Sequence, residues 1–230
     1  MIQLTIDLPA PAAVGRADFL VSGCNAAALG WIERWPDWPA RALVLHGPAG
    51  SGKSHLAQLW RERAAARLIS GTALTAEGSP PPFAGAGGNV AIDDAERAPE
   101  TALLHLYNAA IESGGNVLIV SARSPASWAI ALPDLASRLR ALPAAGIAAP
   151  DDALLAAVLV KHFADRQLRV APGLIAYLLR RIERSFAAAA AIAAQLDKLG
   201  LRERGPITVP LARRLLDDRD GQALSDFAVT

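Results

Sequence analysis

One stretch of the chain combines the residue types that bind phosphate. Residues 47–54 read Gly-Pro-Ala-Gly-Ser-Gly-Lys-Ser and fit the pattern G-x-x-x-x-G-K-[ST]. In such a loop, backbone N–H groups and the positive end of the following helix point at one place, which suits a polyphosphate. The pattern assigns Lys53 to the β- and γ-phosphates and the Ser54 hydroxyl to Mg²⁺. The predicted nucleotide-binding residues of this stretch are Gly47, Pro48, Ala49, Gly50, Ser51, Gly52, Lys53, Ser54 and His55.

A glycine-rich loop that only turns the chain is the alternative interpretation. The motif requires a strand before the loop and a helix after it. The apolar run 42–45 precedes the loop, and residues 53–66 have the composition of a helix. This context favours nucleotide binding.

Two carboxylates follow a second apolar run. Residues 89–94 read Asn-Val-Ala-Ile-Asp-Asp, which describes a buried strand that ends in acidic residues. Open parallel sheets bind ligands at the carboxyl edge of their strands. We therefore expect Asp93 to hold Mg²⁺, usually through water, and Asp94 to polarise or orient an attacking water. The start of a turn before the next helix is the alternative.

Composition limits the class of protein. The chain has 230 residues, of which 52% are hydrophobic, and this suits one α/β domain with a small appendage. The net charge of +1 shows no basic excess, so we expect no direct sequence-specific DNA binding. A single cysteine, no secretion signal and no apolar run near the roughly 20 residues of a membrane span predict a cytoplasmic protein without a membrane segment.

Strand and helix patterns alternate up to Pro150, and only helices follow. Alternation of this kind predicts a parallel sheet covered by helices, so the fold class is α/β with a small all-helical lid domain. The predicted helices of the lid are 151–166, 172–182, 185–199 and 209–217. The predicted divisions are an extended arm over 1–15, a nucleotide-binding α/β domain over 16–150, the lid over 151–217 and a polar tail over 218–230.

The order of these motifs resembles an AAA+ P-loop NTPase, most closely the DnaA branch. The phosphate loop, the Asp-Asp strand, a Ser-Arg-Leu segment at 137–139 and a helical lid follow one another as in that family. Residues 18–26 resemble the family's segment that lines adenine, which implies nucleotide contacts for Phe19 and Asn25. Residues 105–108, His-Leu-Tyr-Asn, resemble the helix after the acidic strand. The similarity runs from about residue 16 to 217.

The first residues narrow the resemblance. Residues 3–8 read Gln-Leu-Thr-Ile-Asp-Leu and resemble the peptide that docks into the hydrophobic cleft of the DNA polymerase sliding clamp, its beta subunit. An edge strand is the alternative. A DnaA-like module that carries this peptide and no helix-turn-helix domain is similar to the Hda family, which inactivates the initiator. The implied clamp-binding residues are Gln3, Leu4, Ile6 and Leu8.

The resemblance implies a function in negative regulation of DNA replication initiation. Docked on the DNA-loaded clamp, such a regulator contacts ATP-bound DnaA and promotes hydrolysis of that ATP. Arg138 matches the arginine finger of the family, a cation that stabilises charge at the transferred phosphoryl group of a neighbouring subunit. A surface arginine in an ion pair is the alternative. The implied catalytic residues are Arg138, Asp94 and Asp93.

Two positions depart from the family pattern. Ala122 replaces an acidic residue near the end of the fourth strand, and Ala187 replaces the lid arginine that touches the nucleotide. Arg184 lies one helical turn earlier and reaches that place only if the lid is rotated. We therefore expect weak ATP hydrolysis by this chain itself and a binding role for ADP or ATP with Mg²⁺.

Other functions remain open at this stage. A helicase loader of the AAA+ type would hydrolyse its own ATP and bind single-stranded DNA, which the near-neutral charge disfavours. A self-sufficient ATPase has only the phosphate loop in its favour. The sequence leaves both a monomer and a homodimer open.

Overall fold

The computed structural model describes residues 19–75, 87–203 and 205–217. The predicted clamp-docking arm 1–15 and the polar tail 218–230 lie outside this part of the chain.

A parallel sheet of five strands forms the centre of the α/β domain. The strand order is β2-β3-β4-β1-β5. Because every strand is parallel to its neighbours, the carboxyl ends meet at one edge, where His46 pairs with Ser121 and Ser70 with Asp93. The strands are β1 Ala42–His46, β2 Arg67–Ser70, β3 Val90–Asp93, β4 Val117–Ser121 and β5 Ala144–Gly146.

Helices cover both faces of the sheet. Residues of β1 alternate between the two faces, so that Leu43 packs toward Trp60 on one side and Val44 toward Leu103 on the other. The central strands are buried on both faces, which explains their continuous apolar composition. The helices of this domain are α1 Ala26–Glu33, α2 Lys53–Ala64, α3 Glu100–Glu112 and α4 Pro133–Ala141.

The remaining helices form the lid with a core of its own. Leu159, Phe163 and Leu196 are fully or almost fully buried in that core. Asp151 caps the first lid helix by accepting a hydrogen bond from the Leu154 N–H at 2.7 Å. The lid helices are α5 Asp152–Asp165, α6 Leu174–Leu179, α7 Phe186–Glu203 and α8 209–217. This arrangement confirms the predicted α/β fold with a helical lid.

The structure adds two elements that the sequence patterns did not predict. Strand β5 reads Ala-Ala-Gly and has none of the β-branched or aromatic residues that mark strands. Helix α4 begins with Pro133 at its first turn and follows a short irregular stretch. Both elements depend on tertiary packing. Strand β5 forms at the edge of the sheet, where it pairs with β1. Within the described residues, no helix is long and apolar enough to cross a membrane.

Candidate nucleotide site and exposed arginine

The phosphate loop connects β1 to the start of α2. Gly52 caps α2 without a side chain, so the first N–H groups of the helix face the loop and are available to an anion. Gly50 and Gly52 have left-handed backbones, with φ of +74° and +87°, which glycine adopts without strain. A Cβ on Gly52 would lie 3.0 Å from Cε2 of Phe19. The loop therefore requires glycine for both its turn and its close contact.

Lys53 is half-buried beneath the loop. Its Nζ donates hydrogen bonds to the carbonyl oxygens of residues 47–48, at 2.8 and 2.9 Å. Burial lowers the pKa of Lys53, and the nearby carboxylates of Asp93, Glu96 and Asp94 act in the opposite direction. The ammonium group is thus held at the loop, at the position where the motif requires a cation for phosphate.

Ser54 and Asp93 come together although they are far apart in sequence. The Ser54 hydroxyl donates a hydrogen bond to Oδ2 of Asp93 at 2.9 Å. No group of three or more histidine, cysteine or acidic side chains able to hold a metal ion occurs in the described part of the chain. Mg²⁺ in nucleotide sites needs only one or two protein oxygens because phosphates complete its shell. The hydroxyl and the carboxylate fit such an ion when a nucleotide brings it.

Asp94 and Glu96 occupy the same edge in different ways. Asp94 is exposed, has a left-handed backbone with φ of 51°, and accepts no side-chain hydrogen bond from another described residue. Glu96 accepts a hydrogen bond from the Ala122 N–H at 2.8 Å through Oε1. Glu96 therefore ties the end of β3 to the end of β4, beside the position where Ala122 lacks a carboxylate. Sequence analysis missed Glu96, because no motif marks it.

A pocket beside the loop has an apolar wall from the segment before α1. Phe19 packs edge-on against His55, with ring centroids 5.5 Å apart. Asn25 lines the pocket but is 2% exposed, and its amide bonds the backbone of residues 20–22. The amide therefore orders the segment that carries Phe19. The predicted residues among those lining the pocket are Phe19, Asn25, Gly50, Ser51, Gly52 and His55.

The lid supplies the opposite wall of this pocket, which sequence analysis did not predict. Lys161 and His162 lie at consecutive positions of α5 and give this wall its basic groups. Burial lowers the pKa of His162, the Arg166 charge adds to this effect, and Asp165 opposes it. The lid residues that line the pocket are Leu154, Val158, Lys161, His162 and Phe186.

The first turn of α7 lies directly against the phosphate loop. A Cβ on Gly50 would lie 3.2 Å from the backbone of Phe186 and from the N atom of Ala187. Position 187 is therefore next to the loop, and alanine provides no cation there. Arg184 instead donates to both carboxylate oxygens of Asp152, at 2.7 and 3.2 Å. This pair lowers the pKa of Asp152, mainly through its hydrogen bond to Arg184.

Arg138 lies on α4 and does not line the pocket. Its Nε is 3.1 Å from Oδ1 of Asp134, and its side chain is 42% exposed. Its Cζ lies over the ring of Tyr107, 5.9 Å from the centroid. Arg138 is therefore an exposed arginine in an ion pair, as the alternative interpretation describes. Its exposed cation is also what a finger role requires. The predicted clamp-binding residues Gln3, Leu4, Ile6 and Leu8 lie outside the described residues.

Comparisons with known proteins agree on the fold and on the lid. Residues 151–216 match the family model of the Hda lid domain. Domain III of the Thermotoga maritima replication initiation protein DnaA superposes with a TM-score of 0.76 at 19% identity, covering 92% of this chain and 98% of that one. The comparison with curated proteins finds no match.

Other solved structures share the architecture. AMPPCP-bound DnaA from Aquifex aeolicus gives a TM-score of 0.65 at 18% identity, covering 88% of this chain and 68% of that one. The Holliday junction branch migration motor RuvB of Thermotoga maritima gives 0.57 at 16% identity, covering 76% and 61%. At these identities the likeness shows the fold alone. Residues 151–216 are therefore similar to the Hda lid domain, and the described part of the chain shares the fold of DnaA domain III.

Proposed function

We propose that this chain is a nucleotide-binding regulator that promotes hydrolysis of DnaA-bound ATP while docked on the DNA-loaded sliding clamp. The match of residues 151–216 to the Hda lid carries the proposal, because it supports a regulator among the proteins with the DnaA fold. Arg138 then acts in trans as the finger that stabilises charge on the phosphoryl group leaving DnaA-bound ATP.

The chain's own nucleotide site serves binding more than hydrolysis under this proposal. Support comes from the phosphate loop, from Lys53 at its base and from the AMPPCP bound by the similar Aquifex DnaA structure. ADP or ATP with Mg²⁺ is the proposed ligand, with Ser54 and Asp93 toward the metal. Ala122 and Ala187 leave this site without two groups that assist hydrolysis in related proteins.

The deciding experiment measures hydrolysis of radiolabelled ATP bound to DnaA, in the presence of this protein, clamp and DNA. Arg138→Ala is expected to lower the stimulated rate by on the order of 10³-fold, the lower end of the range of about 10³ to 10⁵ that arginine fingers contribute in rate. Arg140→Ala, two positions along the same helix and also exposed, is the matched control. Full stimulation by the Arg138 variant, or an equal loss in both, would refute the finger role.

Clamp docking is tested separately through the arm. Replacement of Gln3 and Leu4 by alanine is expected to abolish binding to immobilised clamp and to leave nucleotide binding within twofold of the unaltered protein. If the unaltered protein does not bind clamp, the proposed docking is wrong. Rapid hydrolysis of free ATP by the chain alone, accelerated by single-stranded DNA, would instead favour the helicase-loader alternative.

A further inference from the structure

Two side chains contact the Arg138 guanidinium in this structure. Tyr107 on α3 presents its ring to the cation at 5.9 Å, and Asp134, one turn earlier on α4, holds Nε at 3.1 Å. Tyr107 belongs to the His-Leu-Tyr-Asn stretch at 105–108, for which the nucleotide site provides no role. These contacts give that stretch a direct connection to the exposed arginine.

The two partners differ in rigidity. Tyr107 is 8% exposed and packs in the core cluster that contains Leu103, Leu106 and Leu139. Close packing in this cluster restrains the ring, so it offers the guanidinium a more rigid surface than an exposed side chain would. The Asp134 side chain is 56% exposed and belongs to an i,i+4 pair on a helix surface, where solvent weakens the attraction. The Tyr107 ring is therefore the more rigid of the two partners, and the ion pair with Asp134 restrains the guanidinium only weakly.

We infer that Tyr107 is a positioning residue for Arg138, which fixes the direction in which the guanidinium leaves α4 toward a partner's phosphate. The inference rests on the proposed function, because the reaction that it serves is hydrolysis on DnaA. A free arginine samples many rotamers, and only a few place its planar fork for bidentate contact with a phosphoryl group. A ring beneath the cation raises the share of those rotamers before the partner arrives.

The alternative is that Tyr107 only fills the core. A space-filling role predicts loss of stability after truncation and no particular effect on the stimulated reaction. A positioning role predicts a lower maximal rate at unchanged half-saturation, since the partner still binds but meets a less ordered cation. The two roles are therefore separated by kinetics.

The kinetic test uses DnaA-bound ATP with clamp and DNA. Tyr107→Leu is expected to lower the maximal stimulated rate about fivefold, the order of an exposed cation–π contact, and to keep the half-saturating concentration within twofold. Tyr107→Phe keeps a ring under the cation and is expected to retain at least half of the rate. The melting temperature and the nucleotide affinity of both variants are measured alongside to verify that they fold.

The chain provides a matched control in the lid. Tyr177 is 9% exposed and lies beneath Arg181, whose Cζ is 5.5 Å from its ring centroid. Tyr177→Leu removes a similarly buried ring from a similar pair away from α4. This variant is expected to retain the stimulated rate within twofold. An equal loss in Tyr177→Leu and Tyr107→Leu would show that general destabilisation causes the effect, and would overturn the inference.

A second measurement does not depend on hydrolysis. Burial raises the pKa of the Tyr107 phenol, and the Arg138 charge acts in the opposite direction. Arg138→Ala is therefore expected to raise the pKa of Tyr107, followed by NMR of ¹³Cζ-labelled tyrosine. The chain has two tyrosines, so Tyr177→Phe assigns the signals. Arg181→Ala is the control, which leaves the Tyr107 titration unchanged. An unchanged Tyr107 titration in Arg138→Ala would contradict the contact.

The outcomes separate the two proposals. If Arg138→Ala keeps full stimulation, the finger role in the proposed function fails whatever the Tyr107 variants do. If Arg138→Ala loses stimulation and Tyr107→Leu keeps the full maximal rate, the proposed function stands and the positioning role is refuted. If Tyr107→Phe falls as far as Tyr107→Leu, the ring is not the group that positions the cation, and the inference is likewise overturned.

Discussion

The phosphate loop and the outer face of α4 each hold a cation, but in opposite ways. Lys53 is half-buried and donates hydrogen bonds to two carbonyl oxygens of its own loop. The Arg138 side chain is 42% exposed and pairs with Asp134 on its own helix. The first cation is enclosed by the chain that carries it, whereas the second faces outward. Under the proposed function, Lys53 contacts the nucleotide of this chain and Arg138 contacts a phosphate carried by another molecule.

The same contrast extends to the carboxylates and the lid. Around Lys53, Ser54 and Asp93 are joined at 2.9 Å, and the lid closes the pocket with Phe186 and Lys161. This site nevertheless has alanine at positions 122 and 187. Under the proposed function, a nucleotide binds here without two groups that assist hydrolysis in related proteins. The proposed function thus assigns nucleotide binding and catalysis to two separate parts of one chain.

The test of this division with the largest expected effect removes each cation in turn and compares the nucleotide affinity of the two variants. Lys53→Ala is expected to weaken nucleotide binding by about 10- to 100-fold, because one charge-assisted hydrogen bond to phosphate is lost. Arg138→Ala should leave that affinity within twofold. Titration of a fluorescent ADP analogue measures both. Lys198→Ala, an exposed lysine on the lid, is the matched control. Weaker nucleotide binding in Arg138→Ala would remove the proposed separation.

A gain-of-function variant sharpens the comparison at the lid. Ala187→Arg adds a cation beside the phosphate loop and is expected to raise the preference for ATP over ADP about tenfold, through contact with the γ-phosphate. Ala191→Arg adds the same charge one turn further along α7, at another exposed position. Competition of ATP and ADP against the fluorescent analogue gives the ratio. Equal ratios in the two variants would place residue 187 away from the nucleotide.

A smaller effect is expected at the contact between loop and lid. Gly50→Ala places a Cβ 3.2 Å from the start of α7 and forces a left-handed alanine, which costs about 1–2 kcal/mol. We expect a lower free energy of unfolding by that amount, measured by urea denaturation. Gly30→Ala has open space in α1 and is the control, which should stabilise the chain by about 0.5–1 kcal/mol. Equal stability of Gly50→Ala and the unaltered chain would contradict the observed packing.

The smallest effect is a pH dependence from His162. Burial and the Arg166 charge lower the pKa of this residue below 6.5, so the folded state takes up its proton later than the unfolded state. As the pH falls through 6.5, the unfolded chain binds more protons and the free energy of unfolding decreases. His162→Gln removes this contribution and is expected to flatten the pH profile between 7 and 5. An unchanged slope would show that His162 titrates alike in both states.

Local motifs explain why part of the site was predictable. Lys53 and Ser54 lie inside an eight-residue pattern, and Asp93 ends an apolar run. Ser54 and Asp93 meet across 39 positions because parallel strands bring their carboxyl ends to one edge. The expected fold class followed from the same alternation of strands and helices.

The remaining residues depend on packing that no local pattern encodes. Lys161, His162 and Phe186 reach the pocket only because the lid folds back onto the loop. Glu96 is recognised as part of the site only from its hydrogen bond to Ala122. Strand β5 is recognised only from its pairing with β1. Tyr107 matched a family stretch, yet its position beneath Arg138 follows from the shared core in which α3 and α4 lie.

The contact of Gly50 with the first turn of α7 has a thermodynamic consequence. A Cβ added at Gly50 would lie only 3.2 Å from the first turn of α7, so the loop and the lid backbone are close neighbours. Under the proposed function, a change of loop conformation on nucleotide binding is therefore expected to change the preferred lid angle. Thermodynamic linkage is reciprocal. A protein that binds the lid and favours one lid angle therefore changes the nucleotide affinity by the same factor by which the nucleotide changes the affinity of that protein for the lid. Under the proposed function, we therefore expect the nucleotide to act as an effector of assembly through the lid.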